Sequence, residues 1–223
     1  MNSTPTLHES LQARFDIANI DLEVAGHRYE LLKPRNADDL LDEEEFEFDD
    51  RIPYWADLWP SARVLAERLA ATPGQGTPLI ELGCGLGLCS LVAAQAGYRV
   101  LATDYYNDAL QFVTLNAQRN SLPPLETRMV DWRDLPTDLG KFERIVAADV
   151  LYERPYADLV AKTIRSLLAP NGEATVTDPG RRVAAEFPDF CKNHRLAVVG
   201  HEQVPWKNDA VTVTIDVYRL RHA

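Results

Sequence analysis

Four carboxylates, Glu81, Asp104, Asp131 and Asp149, each fall at or beside the carboxyl end of a segment that reads as a strand. A glycine-rich loop, Gly83-Cys84-Gly85-Leu86-Gly87, begins two residues after the first of them. Glycines let a backbone turn sharply and approach a ligand with no Cβ in the way. Asp104 lies about twenty residues past the loop, where an acid accepts hydrogen bonds from ribose hydroxyls. The dinucleotide fingerprint spaces its glycines G-x-G-x-x-G; here Gly87 arrives one position early and Leu88 fills the expected slot. Glu81 disfavours a pyrophosphate, because like charges repel in a partly buried cleft, and suits the ammonium of an amino-acid tail. Asp131 can accept from an adenine amino group, with Trp132 bordering the base. Asp149, with Tyr152 three residues on, can dock and orient an amine. Asp149 alone would raise that amine's pKa, so its useful work is orientation rather than deprotonation. The alternatives are a dinucleotide site, a glycine turn with no ligand, and strand-end acids bonded to backbone with Tyr152 in the core.

Elements that alternate between strand and helix must hold these residues. Pro78–Leu82 reads as a buried strand, Leu88–Ala96 as a crossover helix and Val100–Thr103 as the next strand. Asn107 is the expected N-cap of a helix reaching Arg119. Leu125–Val130 and Phe142–Asp149 read as further strands. A helix starts at Pro155 and is expected to stop at Pro170-Asn171-Gly172, with a strand over Glu173–Thr177. Pro188 should kink or break a helical stretch from Val183 to Cys191. Arg195–Val204 and Ala210–Leu220 form a closing hairpin. This pattern predicts an α/β fold with a largely parallel sheet and the ligand across the carboxyl ends of its strands.

Two stretches stand apart. Phe15–Val24 and His27–Leu32 around Ala25-Gly26 predict a hairpin, followed by an acidic run from Asp38 to Asp50 that reads as a solvated loop or as a docking surface for a basic partner. Tyr54, Trp55 and Trp59 crowd the residues before a helix that begins near Pro60 and runs to about Ala71. Such aromatics serve as core plugs, or Trp59 packs on the ligand while Tyr54 and Trp55 line a channel for an amine. The expected division is an N-terminal β extension with its acidic loop over residues 1–50 and the main domain over 51–223.

The chain has 223 residues and a formal net charge of −11. An acidic chain without a Lys/Arg-rich run disfavours nucleic acid. Cys84, Cys89 and Cys191 show no metal-ligand spacing and read as core thiols in a reducing compartment, so no metal is expected. No signal or transit pattern and no apolar run of membrane-spanning length is present, so the expectation is a cytoplasmic protein, monomeric by default.

Acid-x-G-x-G-x-G followed by an acid after the second strand resembles motif I of class I S-adenosylmethionine-dependent methyltransferases. Asp149-Val150-Leu151-Tyr152 is similar to the D-x-x-Y motif of seven-strand protein lysine methyltransferases. With Pro53-Tyr54-Trp55-Ala56 running into Trp59-Pro60, and Thr177-Asp178-Pro179-Gly180-Arg181, it resembles the enzymes acting on the β-subunit of electron-transfer flavoprotein and their bacterial relatives, over roughly residues 50–220. The resemblance implies a Rossmann-like, mostly parallel seven-stranded sheet with a C-terminal antiparallel hairpin, S-adenosyl-L-methionine as cofactor and a protein substrate with an exposed lysine. A small amine is the alternative acceptor, and a non-catalytic nucleoside-binding module the alternative class. It implies cofactor contacts from Trp59, Glu81, Gly83, Gly85, Asp104 and Asp131, extended here to Cys84, Gly87, Tyr105, Trp132 and Ala148. Asp149 and Tyr152 would address the acceptor. The chain departs from the mitochondrial members in lacking a transit segment and in its acidic insert, which bears on the substrate rather than the reaction.

Overall fold

Alternating apolar strands and amphipathic helices build a seven-stranded sheet covered on both faces. The computed structural model describes residues 5–36, 54–208, 210 and 212–223. The acidic run Asp38–Asp50 and Pro53 of the aromatic motif lie outside the described residues. In chain order the elements are α1 (Leu7–Gln12), β1 (Ile17–Val24), β2 (His27–Pro34), α2 (Pro60–Ala70), β3 (Pro78–Leu82), α3 (Leu88–Gln95), β4 (Arg99–Asp104) and α4 (Asn107–Arg119). There follow β5 (Glu126–Met129), β6 (Phe142–Ala148), α5 (Arg154–Leu167), β7 (Leu168–Asp178), α6 (Phe187–Asn193), β8 (Leu196–Lys207) and β9 (Thr212–His222).

The strand order is β5-β4-β3-β6-β7-β9-β8, with β3 to β7 parallel and β9 antiparallel to both its neighbours. The chain winds outward from β3 to β5, then returns to β6 and winds the other way. The order therefore reverses between β3 and β6, and a crevice opens at their carboxyl ends. Strand alternation sends Leu79 toward α2, α3 and α4, and sends Ile80 and Leu82 toward α5 and α6. On α5, Val160, Ile164 and Leu167 are fully or nearly buried, each worth about 1.5–3 kcal/mol.

The hairpin β1–β2 forms a separate two-stranded sheet, turned by Ala25 and Gly26, both at positive φ. It docks through α4. The buried Asn116 accepts from the Leu32 N–H at 2.7 Å and donates to the carbonyls of Leu32 (3.1 Å) and Leu86 (3.0 Å). One side chain thus ties the hairpin to the glycine loop. Helix α1, closed by a capping box between Thr6 and Glu9, is an element the sequence reading omitted.

Three expectations need correction. Tyr106, not Asn107, is the N-cap of α4, because the Asp104 carboxylate accepts the Tyr106 N–H at 3.0 Å and holds it outside the helix. Helix α5 ends at Leu167 rather than at Pro170-Asn171-Gly172. Those three residues lie within β7, where the register against β6 shifts between Phe142 and Arg144. Pro188 does not kink a helix but sits in the first turn of α6, after a separate 3-10 turn over Ala184–Glu186.

Candidate functional site

The crevice between β3 and β6 is a cavity with two differently built walls. One is made by the glycine loop, Asp104, Tyr105, Asp131 and Trp132; the other by Tyr54, Trp59, Asp149, Tyr152 and Tyr156. Glu81 and Ala148 also line it.

The first wall is fixed from below. Gly85 has φ +50, its N–H donates to Asp104 at 2.9 Å, and a Cβ there would come within 3.1 Å of the Trp55 carbonyl oxygen. Gly87, at φ +86, caps α3, and a Cβ would meet Val113 of α4 at 2.8 Å. The loop is therefore narrow because two other segments press against it. Asp104 is buried, and burial raises its pKa against the N–H groups of Tyr106 and Gly85 that stabilise the carboxylate. Glu81 stands where strand alternation calls for an apolar side chain facing α3. Burial pushes its pKa up to about 8, opposed by a hydrogen bond from the Ser90 hydroxyl on α3. Burial likewise raises the thiols of Cys84 and Cys89 well above the usual range, which makes them inert packing groups. Asp131 holds Arg133 in a forked pair, 2.6 Å at the shortest, so its carboxylate faces a guanidinium as well as the cavity. The Trp132 indole lies over Gly83, and its buried N–H finds no protein acceptor among the described residues.

The second wall is assembled from distant segments. Asp149 has φ +62, a left-handed conformation uncommon for a residue with a side chain and found disproportionately at functional sites. Its N–H is held by the Thr177 carbonyl at 2.9 Å. The side chain is only 5 % exposed. The Arg181 guanidinium is its ion-pair partner, yet no donor among the described residues meets either carboxylate oxygen in hydrogen-bond geometry. Tyr152 packs between Tyr54 (5.3 Å between ring centroids) and Tyr156 (4.8 Å). Trp59 donates from its indole to the Tyr54 carbonyl at 2.9 Å. Trp55 lines the cavity, but it is a buried residue whose ring packs against Phe112 at 5.7 Å and Phe15 at 6.5 Å, as a core plug does, with its carbonyl above the glycine loop.

Residues 73–216 match the family described as a methyltransferase domain. The chain belongs to that family. Among curated methyltransferase relatives, it is 32% identical over 148 residues to the mouse electron transfer flavoprotein beta subunit lysine methyltransferase, covering 65% of this chain and 56% of the mouse protein. It is 26% identical over 180 residues to mouse EEF1A lysine methyltransferase 3, covering 78% and 75% of the two chains. The chain thus spans little more than half the length of the first of these relatives. The structure of magnesium protoporphyrin IX methyltransferase from Synechocystis PCC 6803 with bound SAM shares the fold. It superposes with a TM-score of 0.59 at 18% identity, over 78% of this chain and 83% of that one.

Several residues of this methyltransferase-domain site escaped the sequence reading. Ser90, Arg133 and Tyr156 each partner a residue that had been singled out. Arg181 stood in the Asp178-Pro179-Gly180-Arg181 motif without an assigned role. It pairs with Asp149, while its NH1 donates to Asp178 at 3.0 Å and its backbone N–H to the same carboxylate at 2.8 Å. The signal was available in the strand order: once β6 lies beside β7 with Ala148 opposite Thr177, Asp149 and Asp178 must be neighbours. Among the described residues, no group of His, Cys, Asp and Glu could hold a metal ion, and no helix is long and apolar enough to cross a membrane.

Proposed function

We propose that this chain is an S-adenosylmethionine-dependent N-methyltransferase acting on lysine side chains of a protein. The observation that carries this reading is Asp149, a carboxylate buried on a left-handed backbone in the cavity wall, ion-paired with Arg181 and beside a cage of tyrosines. A carboxylate offers about four acceptor positions, and one guanidinium occupies only part of them, so Asp149 can still accept from a donor that arrives through the cavity. An amine N–H is that donor. The lysine relatives named above support the protein acceptor.

The cofactor fits the residues present. Asp104 offers a buried carboxylate for ribose hydroxyls, and the narrow glycine loop admits a nucleoside against backbone. The unfilled Trp132 N–H is available to a heteroatom of the base. Glu81 supplies the acid for a cationic amino-acid tail, and Gly83, Cys84, Gly87, Tyr105, Asp131 and Ala148 complete the enclosure. When bound, S-adenosylmethionine supplies a methyl group activated by a sulfonium. The chain orients the acceptor nitrogen through Asp149 and the Tyr152 hydroxyl, and excludes water with Tyr54, Trp59 and Tyr156. Positioning of this kind supplies much of the acceleration of a bimolecular transfer.

The test is tritiated S-adenosylmethionine with a lysate of the host, comparing the wild-type protein with Asp149→Ala. Label should precipitate with protein and be recovered as methyllysine after hydrolysis, and the variant should lose it. Label confined to the small-molecule fraction, or undiminished transfer by the variant, overturns the reading.

A further inference from the structure

We infer that Arg181 is a positioning residue that governs the charge of the incoming amine: its guanidinium offsets Asp149, so that the acceptor can dock on this carboxylate as the neutral amine. The inference rests on the lysine reading above and assigns it a residue that the acceptor motif does not contain.

The geometry is specific. Asp149 and Asp178 end adjacent strands and are both almost wholly buried, at 5 % and 0 % side-chain exposure, and two carboxylates share one guanidinium. Gly180, at φ +76, turns the chain so that Arg181 folds back on Asp178, three residues before it. The guanidinium carbon lies 6.0 Å from the Trp59 ring centroid, within reach of the attraction between a cation and a ring face. Arg181 is thereby held against Asp149 by a hydrogen-bonded neighbour and by the wall of the cavity, rather than by Asp149 alone.

The chemistry needs such a group. A lysine side chain has a pKa of about 10.4, so presenting it uncharged at pH 7 costs roughly 4.6 kcal/mol. A bare buried carboxylate would raise that pKa further by about 1–3 units. A guanidinium already paired with the carboxylate, though shared with Asp178, offsets part of this penalty and leaves the carboxylate oxygens able to accept an N–H from the neutral amine. The proton lost from the ammonium passes to solvent as the amine enters.

Other charges near the acceptor do not replace this role. On the acceptor wall the remaining titratable groups among the described residues are Glu153 and the three tyrosines Tyr54, Tyr152 and Tyr156. Asp57, in the loop before α2, is paired with Lys33 of the hairpin. Glu81, Asp104 and the Asp131–Arg133 pair line the cofactor wall. Behind Arg181, a second groove contains Asp216, which is bonded to His201 at 2.8 Å. Among the described residues, Arg181 is the cation that touches Asp149.

The test uses Arg181→Gln, Arg181→Lys and, because glutamine would orphan the buried Asp178, the double variant Asp178→Asn/Arg181→Gln with Asp178→Asn as its reference. With host lysate proteins as acceptor, at saturating concentrations where the rate reports the bound complex, the acid limb of the pH–rate profile should move upward. Removing the guanidinium should move it by about one pH unit or more, and Arg181→Lys should stay near wild type. Independently of turnover, n-butylammonium chloride titrated against the protein and followed by tryptophan fluorescence should bind at least ~10-fold more tightly to the double variant than to Asp178→Asn. An unmoved profile, or unchanged butylammonium binding, overturns the role of Arg181. If wild-type protein labels no protein at all, the lysine reading falls, while the butylammonium titration still decides what Arg181 does to Asp149.

Discussion

The two walls of the cavity are built on opposite principles. On the cofactor side the carboxylates are satisfied before any ligand arrives: Asp104 accepts two backbone N–H groups, Glu81 accepts from Ser90, and Asp131 holds Arg133. On the acceptor side Asp149 is left with buried oxygens and an unusual backbone, and the surrounding rings come from two separate loops and a helix. A preformed wall suits a ligand of fixed shape, held the same way each time. A wall whose carboxylate is ion-paired but still open to further donors suits a guest that must be oriented only when it reaches the methyl group. The comparison implies that substitutions on the two sides should fail in separable ways.

The largest effect should come from Asp149. In Asp149→Ala, turnover should fall about 1,000-fold, near 4 kcal/mol of lost transition-state stabilisation, while cofactor affinity measured by calorimetry stays within about twofold. The reciprocal change, Asp104→Ala, should weaken cofactor binding by ~100-fold through the loss of charged hydrogen bonds worth about 1.5–3 kcal/mol each. If Asp149→Ala abolished cofactor binding as well, the walls would not be independent and the comparison would break.

How much of this was legible in the sequence follows the same division. The cofactor wall is local: the glycine loop, Glu81 before it and Asp104 after the crossover sit within one strand–helix–strand unit, so spacing alone located them. The acceptor wall is not. That Asp149 ends a strand was readable, but its pairing with Arg181 depends on β7 lying beside β6, a contact the chain makes only after α5. Trp55 failed for a related reason. Clustered aromatics before a helix are consistent with either a plug or a channel, and the deciding partners, Phe15 and Phe112, are remote in sequence. The capping box of α1 was readable as Thr6 followed three residues later by Glu9.

The next effect concerns pH and the cofactor wall. Glu81 titrates near 8 in the folded chain because burial opposes its charge, against an ordinary value of 4.5. The native state therefore binds this proton more tightly than the unfolded state. The resulting stability is fully present below about 4.5 and is lost as pH rises toward 8. Glu81→Gln removes the ionisation, so without ligand the variant should exceed wild type in urea denaturation at pH 8, by about 4 kcal/mol, with little difference at pH 4.5. The same variant should bind S-adenosylmethionine more weakly, and wild-type binding at pH 7 should release protons, measurable in buffers of different ionisation enthalpy. Equal stability of the two proteins at pH 8 would show that Glu81 is already ionised at no cost.

A smaller loss should follow from Asn116→Ala, which tests whether the hairpin helps preform the cofactor wall. The substitution orphans the buried Leu32 amide and removes the tie to Leu86 in the glycine loop. A stability loss of about 2–3 kcal/mol is expected, with weaker cofactor binding. The acid limb of the pH–rate profile, which belongs to the acceptor wall, should not move.

The smallest effect belongs to Tyr54. The residue is 39% exposed, and its ring stands 5.3 Å from Tyr152 and 6.0 Å from Trp59. Removing it takes away an aromatic contact worth about 0.5–1.5 kcal/mol without opening the core. Tyr54→Ala should therefore raise the acceptor KM about fivefold and leave kcat, cofactor affinity and melting temperature nearly unchanged. Tyr54→Phe should restore KM, because the ring face rather than the hydroxyl does the enclosing. A fall in kcat in place of a rise in KM would move Tyr54 from the rim of the acceptor wall into contact with the reacting atoms. The left-handed Asp149 would then no longer be sufficient to orient the amine.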